Sequence, residues 1–331
     1  MKKFSFTIIK AQEIENIIWS NFPKIFDMVK HTYLAHEKGL AFNPPSSFLR
    51  FTDMPDARII SLPAAINDGI SKISGLKWIA SNPQNIHKGF PRASAVIILN
   101  DYETGYPFAC LEGSLISAMR TACSAVLAAD SLIKNRTIKQ LGIVGNGPIA
   151  QQILKCFFKM NFEISEILLY DTSYERSELF NENLKAVYKN KVIISKTKED
   201  LISSSDVIVL ATTAKTPYIN DGLIFSHHPI VLNISLRDLS PDILIKSNNI
   251  VDDIQHVLTA NTSPHLSFEK YGHKEFINGT LAQLLTGSIK TDPLKTTIFS
   301  PMGMGILDIA LANAIYELSK KELTFDDFFN I

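Results

Sequence analysis

Residues 11–37 carry apolar side chains at Ile14, Ile17, Ile18, Phe22, Ile25, Phe26 and Val29, a spacing of three and four that predicts a helix pair closed by Pro44-Pro45. The pattern then changes. Short β-branched or aromatic runs at 47–51, 58–62, 73–79 and 95–100, separated by turn residues, predict antiparallel strands. A Gly- and Pro-punctuated turn, 101–107, precedes a helix of small and apolar residues, 113–129. From about residue 137 strand and helix alternate: 140–144, 148–159, 167–170, 206–210, 230–234 and 249–251, which predicts a doubly wound parallel sheet. The apolar run 306–318 returns to helical period, too far from the sheet's expected last strand to belong to it, and is expected to pack on the first domain. The fold class is therefore α/β, with a discontinuous α+β domain (1–128 and 303–331) around a dinucleotide-type domain (129–302).

Charge removes several function classes. Among 331 residues, Lys+Arg and Asp+Glu both number 33, so no net field draws nucleic acid or anionic lipid, and neither partner is expected. Cys110, Cys123 and Cys156 lack C-x-x-C spacing, and the N-terminus lacks a long apolar stretch, which together predict a reduced, cytoplasmic protein. The stretch 114–133 is nearly long enough to cross a membrane, but Arg120 and Asp130 interrupt it, so a helix buried in protein is expected.

Two features carry chemistry. Arg120 is the single cation on the small-residue helix, and burying it costs several kcal/mol unless an anion meets it. Leu141-Gly-Ile-Val-Gly-Asn-Gly-Pro-Ile-Ala150 is an apolar strand opening into a G-x-G-x-x-A turn, the form that cradles a dinucleotide pyrophosphate. In it Gly145 permits the bend, Gly147 lets the backbone approach the phosphates, and Ala150 permits close helix packing. Asn146, Pro148 and Ile149 complete the turn. Asp171 ends the next strand where a carboxylate grips two ribose hydroxyls, which favours NAD over NADP. Thr212 and Ser235, at later strand ends, are expected to line the same cofactor.

Lys77 stands in the apolar run Gly75-Leu-Lys-Trp-Ile79, Arg50 ends Ser-Phe-Leu-Arg, and Arg92 follows Gly89-Phe-Pro91. Together with the Met119-Arg-Thr-Ala helix, the glycine turn and Asn233-Ile-Ser-Leu-Arg-Asp238, the chain resembles the ornithine cyclodeaminase/mu-crystallin family over nearly its whole length. The resemblance implies a Rossmann domain loaded with NAD, a first domain whose Arg50, Lys77 and Arg120 bind an amino-acid carboxylate, and dimerisation through the first domain's sheet. It also places Asp238 as the catalytic base, with Lys77 beside the reacting centre. The runs 77–81, 92–101, 112–122, 281–287 and 301–305 are most similar to the branch that oxidises a glutamate-derived secondary amine to 2-oxoglutarate and 2,3-diaminopropionate, for siderophore or antibiotic assembly. Such a substrate bears three carboxylates, for which Arg50, Lys77, Arg92 and Arg120 supply four cations. Ser61-Leu-Pro63 offers no carboxylate for a second amine, against ornithine cyclisation. The alternatives are an ornithine cyclodeaminase, another amino-acid dehydrogenase or ketimine reductase of the family, and a non-catalytic NAD(P) binder. Arg237 leaves the direction of the Asp238 pKa open as well. Glu112 is expected to cap the Arg120 helix, and His227-His228 to lie in a loop.

Overall fold

Alternation of buried and exposed side chains organises the first part of the chain into strands β1 (Phe6–Ile9), β2 (Ala41–Phe42), β3 (Ser47–Arg50), β4 (Arg58–Asn67), β5 (Lys72–Ser81), β6 (Ala93–Asp101) and β7 (Pro107–Glu112). The structure is a computed structural model that describes residues 5–326 and 328–329. Among them, a short strand Thr324–Phe325 leads the sheet order, followed by β1, β7, β6, β5, β4 and β2, with β3 also paired to β4. Leu62, Ala64, Ile66, Ile73, Ala95, Ile97, Leu99, Ala109 and Leu111 are buried. The helices Phe22–Glu37 and Gly305–Leu318 pack together, and the latter lies against β4, β5 and β6. Gly75 permits this approach, because a Cβ there would stand 3.0 Å from Ile309 Cδ1 and closer still to the carbonyl of Ile98. On the opposite face Ile8, Trp78 and Val96 are exposed.

The second unit is built on β8 (Thr137–Val144), β9 (Glu163–Tyr170), β10 (Lys191–Ile194), β11 (Val207–Leu210), β12 (Ile230–Asn233), β13 (Asn248–Val251), β14 (Ile277–Thr280) and β15 (Thr297–Ser300). They form one parallel sheet in the order β10-β9-β8-β11-β12-β15-β13-β14. The order reverses between β8 and β11, the kind of crevice in which doubly wound sheets bind ligands.

The two units comprise the residues up to Arg120 with those from Met304, and Thr121–Gly303. The first division falls inside the helix Ser114–Leu132, earlier than the boundary at 128 expected from the sequence. Side-chain partners explain this: Arg120 bonds to Asp308 of the first unit, while Cys123 touches Cys156 of the second. That helix is long and apolar enough to cross a membrane by length and composition, but most of it is buried within the protein.

Several strands escape the sequence pattern. β7 follows the 101–107 turn directly, and its inward positions, Ala109 and Leu111, are too few and too small to read as alternation. β14 and β15 extend the sheet beyond residue 251, so the reading that the 306–318 helix lies far from the last strand is corrected: β15 ends at Ser300, just before residues 301–304 lead into that helix. All four residues of β15 are buried, and a strand buried on both faces has no alternation to show.

Ile309 is fully buried. Ile309→Ala is expected to destabilise the protein by about 2–5 kcal/mol in urea unfolding, through lost transfer energy plus the cavity left against β5.

Candidate active site

The turn after β8 is shaped by backbone. Gly145 has φ +91°, and a Cβ there would meet the Ala211 carbonyl oxygen at 2.6 Å, so the turn lies against the end of β11 at the sheet's reversal point. Gly147 is the N-cap of the helix Pro148–Lys159 with no side-chain cap, and a Cβ at Gly147 would face open space. Pro148 and Ile149 open that helix, and Ala150 is fully buried. Asp171 Oδ2 accepts from the Asn146 amide at 2.8 Å and its Oδ1 from the Ser173 amide at 3.0 Å, tying the turn to the end of β9. The Asn146 amide group donates to Ser177 at 2.8 Å, while its Oδ1 is buried without a protein partner, as are Ser235 Oγ and Asn233 Oδ1. An uncapped helix start, an open glycine and orphaned polar atoms on the 146 and 233–235 segments fit a dinucleotide.

Asp238 is fully buried. Its Oδ1 accepts the Thr212 hydroxyl at 2.5 Å, and Oδ2 has no protein partner. The Thr212 backbone borders the Gly145 turn, and its hydroxyl is committed to Asp238. Arg237 settles elsewhere. Its guanidinium donates to the Ala260 carbonyl at 3.2 Å and makes no ion pair with Asp238 among the described residues. Burial lowers its pKa, and the Asp238 charge partly opposes that.

In the first unit the cations separate into two groups on one sheet face. Lys77, with 2% exposure, donates to Asp308 Oδ2 at 2.5 Å and to Ser117 Oγ at 3.1 Å. Arg120 Nε reaches the other oxygen of Asp308 at 3.3 Å. Burial pulls the Lys77 pKa down to about 8, Asp308 opposing and Arg120 adding to the shift. Asp308 went unnoticed in the sequence, although a lone acid in Gly305-Ile-Leu-Asp-Ile-Ala-Leu311 is the counterpart of Arg120 on its own apolar helix.

Strand register places the second group. Arg50 pairs across from Arg58, Arg58 across from Ser81, and Leu62 across from Lys77, so all these side chains share one face. Arg92 donates to Ser81 Oγ at 2.8 Å. Arg50 is exposed and its guanidinium sits 5.2 Å above the Phe48 ring. Lys77 and Ser81 are four strand positions apart, about 13 Å, so Arg50 and Arg92 lie further along the same face than the Asp308 pair. Arg58 joins Arg50 and Arg92, and only pairing register reveals it. Glu112, as expected, caps the Arg120 helix, accepting from the Ser114 and Leu115 amides at 2.7 and 3.0 Å.

The sequence pattern of the Ornithine cyclodeaminase/mu-crystallin family matches residues 7–322. The chain belongs to that family. Within it the chain is 34% identical over 271 residues, 80% of each sequence, to N-((2S)-2-amino-2-carboxyethyl)-L-glutamate dehydrogenase of Staphylococcus aureus. It is 26% identical over 333 residues to the alanine dehydrogenase of Archaeoglobus fulgidus, covering 98% of this chain and 99% of that one. Among solved structures, the Δ1-pyrroline-2-carboxylate reductase of Thermococcus litoralis, solved with NADH and L-proline, superposes with TM-score 0.83 at 24% identity, covering 94% of this chain and 97% of the other. The family fold therefore accounts for both units, and the chain's own Asp308 pairing accounts for its two buried cations.

Because the folded pKa of Lys77 lies below its unfolded value of 10.5, the unfolded chain binds more protons between about pH 8 and 10.5, and this group's contribution to stability rises with pH across that window. Urea unfolding of wild type and Lys77→Met, compared across the window, should show the difference moving in favour of wild type as pH rises. A flat difference would contradict the burial penalty.

Proposed function

We propose that this chain oxidises N-(2-amino-2-carboxyethyl)-L-glutamate with NAD, giving 2-oxoglutarate and L-2,3-diaminopropionate, and so supplies the latter for siderophore or antibiotic assembly. The observation that carries the reading is the sheet face on which Arg50, Arg58 and Arg92 adjoin through direct cross-strand pairing and the Ser81 contact. A face that gathers several guanidinium groups favours a ligand that brings several carboxylates. A substrate with three carboxylates meets that description, whereas alanine or pyrroline-2-carboxylate has one. The identity to the staphylococcal dehydrogenase supports the same choice.

NAD, when bound, supplies the two-electron acceptor. Gly145, Asn146, Gly147, Pro148 and Ile149 would hold its pyrophosphate, Asp171 its ribose, and Ser235 a polar group near the strand ends. Lys77 and Arg120, both held by Asp308, grip the carboxylate beside the reacting carbon. Arg50 and Arg92 take the remaining carboxylates. After the Cα hydride leaves, the substrate is an iminium. Asp238 Oδ2 then accepts a proton from water as its oxygen bonds to the iminium carbon, passes that proton to the nitrogen, and takes the hydroxyl proton as the carbonyl forms and the C–N bond breaks to release the primary amine. In sum, the adduct, NAD+ and water give 2-oxoglutarate, 2,3-diaminopropionate, NADH and a proton.

We place the enzyme in the cytoplasm as a homodimer, a second copy covering the sheet face that bears Ile8, Trp78 and Val96. Trp78→Glu should lower the sedimentation mass to that of one chain.

Absorbance at the NADH band should rise with the glutamate adduct and NAD, but not with ornithine, alanine or proline. Arg92→Ala should raise the KM for the adduct about tenfold or more and leave that for NAD unchanged, as loss of a charge-assisted contact demands. Turnover of ornithine or alanine in place of the adduct would overturn the assignment.

A further inference from the structure

Asp238 takes its position from a loop that no motif marks. The Tyr218 and Ile219 amides both donate to the Asp238 carbonyl, at 3.1 and 3.0 Å, and the Ser240 amide donates back to the Ile219 carbonyl at 3.0 Å. Ile219 and Leu239 thus form a one-residue parallel bridge beyond the sheet. It holds the backbone on both sides of the carboxylate. At the side chain, Thr212 satisfies Oδ1, while Oδ2 and the Tyr218 hydroxyl are both buried and neither has a completed hydrogen bond.

We propose that Tyr218 is a positioning residue for this reaction, whose buried and unsatisfied hydroxyl, on the segment bridged by its backbone to Asp238, acts with Thr212 to aim the carboxylate. The proposal rests on Asp238 being the base. Tyr218 suits the task because burial, reinforced by the Asp238 charge, pushes its own pKa well above the usual phenol value, so it remains a donor throughout the working range. The other polar and charged groups around the pair are consistent with this. Lys198 Nζ lies 5.7 Å from the centre of the Tyr218 ring, Tyr170 acts on the phenol only through charge, and Arg237 acts on Asp238 through charge without a bond. Thr212 and Tyr218 are then the hydroxyl donors available to the carboxylate among the described residues. A hydrogen bond to a carboxylate favours its charged form, so removing a donor weakens that preference.

The test is the pH profile of kcat/KM for the adduct. In Tyr218→Phe the acidic limb should move up by about 0.5–1 pH unit, the equivalent of one lost hydrogen bond, with kcat down several-fold and the KM for NAD unchanged. Replacing Tyr218 site-specifically by 3-fluorotyrosine, a stronger donor of nearly the same size, should move the limb down instead. This second variant decides the matter should the phenylalanine form unfold. Asp238→Asn, assayed beside them, should be inactive while still quenching NADH fluorescence on binding. An active Asp238→Asn enzyme would remove the base and with it the reading of the reaction. An inactive Asp238→Asn enzyme together with an acidic limb unmoved by either Tyr218 replacement would overturn the role of Tyr218 alone.

Discussion

The first unit depends on one carboxylate placed where water cannot reach it. Asp308 lies on a helix whose neighbours Ile306, Leu307, Ile309, Ala310 and Leu311 are all buried, and an unpaired charge in such surroundings would cost several kcal/mol. It is met from two sides, by Lys77 from the middle of β5 and by Arg120 from the end of the helix segment that belongs to this unit. Three stretches distant in sequence are therefore fixed to one another by charge as well as by packing. Of the two cations that meet Asp308, Lys77, its pKa pulled down by burial to about 8, is the one whose charge is cheaper to lose.

The second unit reaches the same kind of concentration through topology rather than charge. Reversal of strand order between β8 and β11 brings the glycine turn against Ala211, places Thr212 just beyond, and lets β12 deliver Asn233, Ser235 and Asp238 through a short descending segment. Within that compass Asp171 is bonded to the turn and Thr212 to Asp238. The sheet thus sets the glycine turn within one frame, while the loop bridged at Ile219 and Leu239 holds the carboxylate beside it.

How much of this was legible in the sequence follows from what each element displays. The helix pair, the strands β4 to β6 and the first parallel strands announce themselves because their apolar positions recur at helical or strand period. Elements whose inward positions are small, as Ala109 in β7, or whose every residue is buried, as in β15, show no period to read. The glycine turn was legible since only a residue without Cβ fits beside Ala211. Arg120 was legible as an oddity, yet its answer, Asp308, hid in a run so apolar that the acid looked incidental. Arg58 and Tyr218 could not be found at all: the first gains its meaning from register with Arg50 and Ser81, and the second from a one-residue bridge between loops. Pairings made at long range leave no trace in local pattern.

The segment from Asn82 to Arg92 shows what such register can also leave free. The Asn82 amide donates to the Arg92 carbonyl at 2.8 Å, and Arg92 reaches back to Ser81, so the two ends are knotted together at the root while residues 83–88 wind into a short 3-10 turn that is mostly exposed. Insertions or deletions at the tip would not propagate into β5 or β6, because the closure lies beneath them. The Arg92 guanidinium is thereby insulated from changes in the loop that carries it, and descendants of this chain are at liberty to remodel that rim without disturbing the strand ends beneath it.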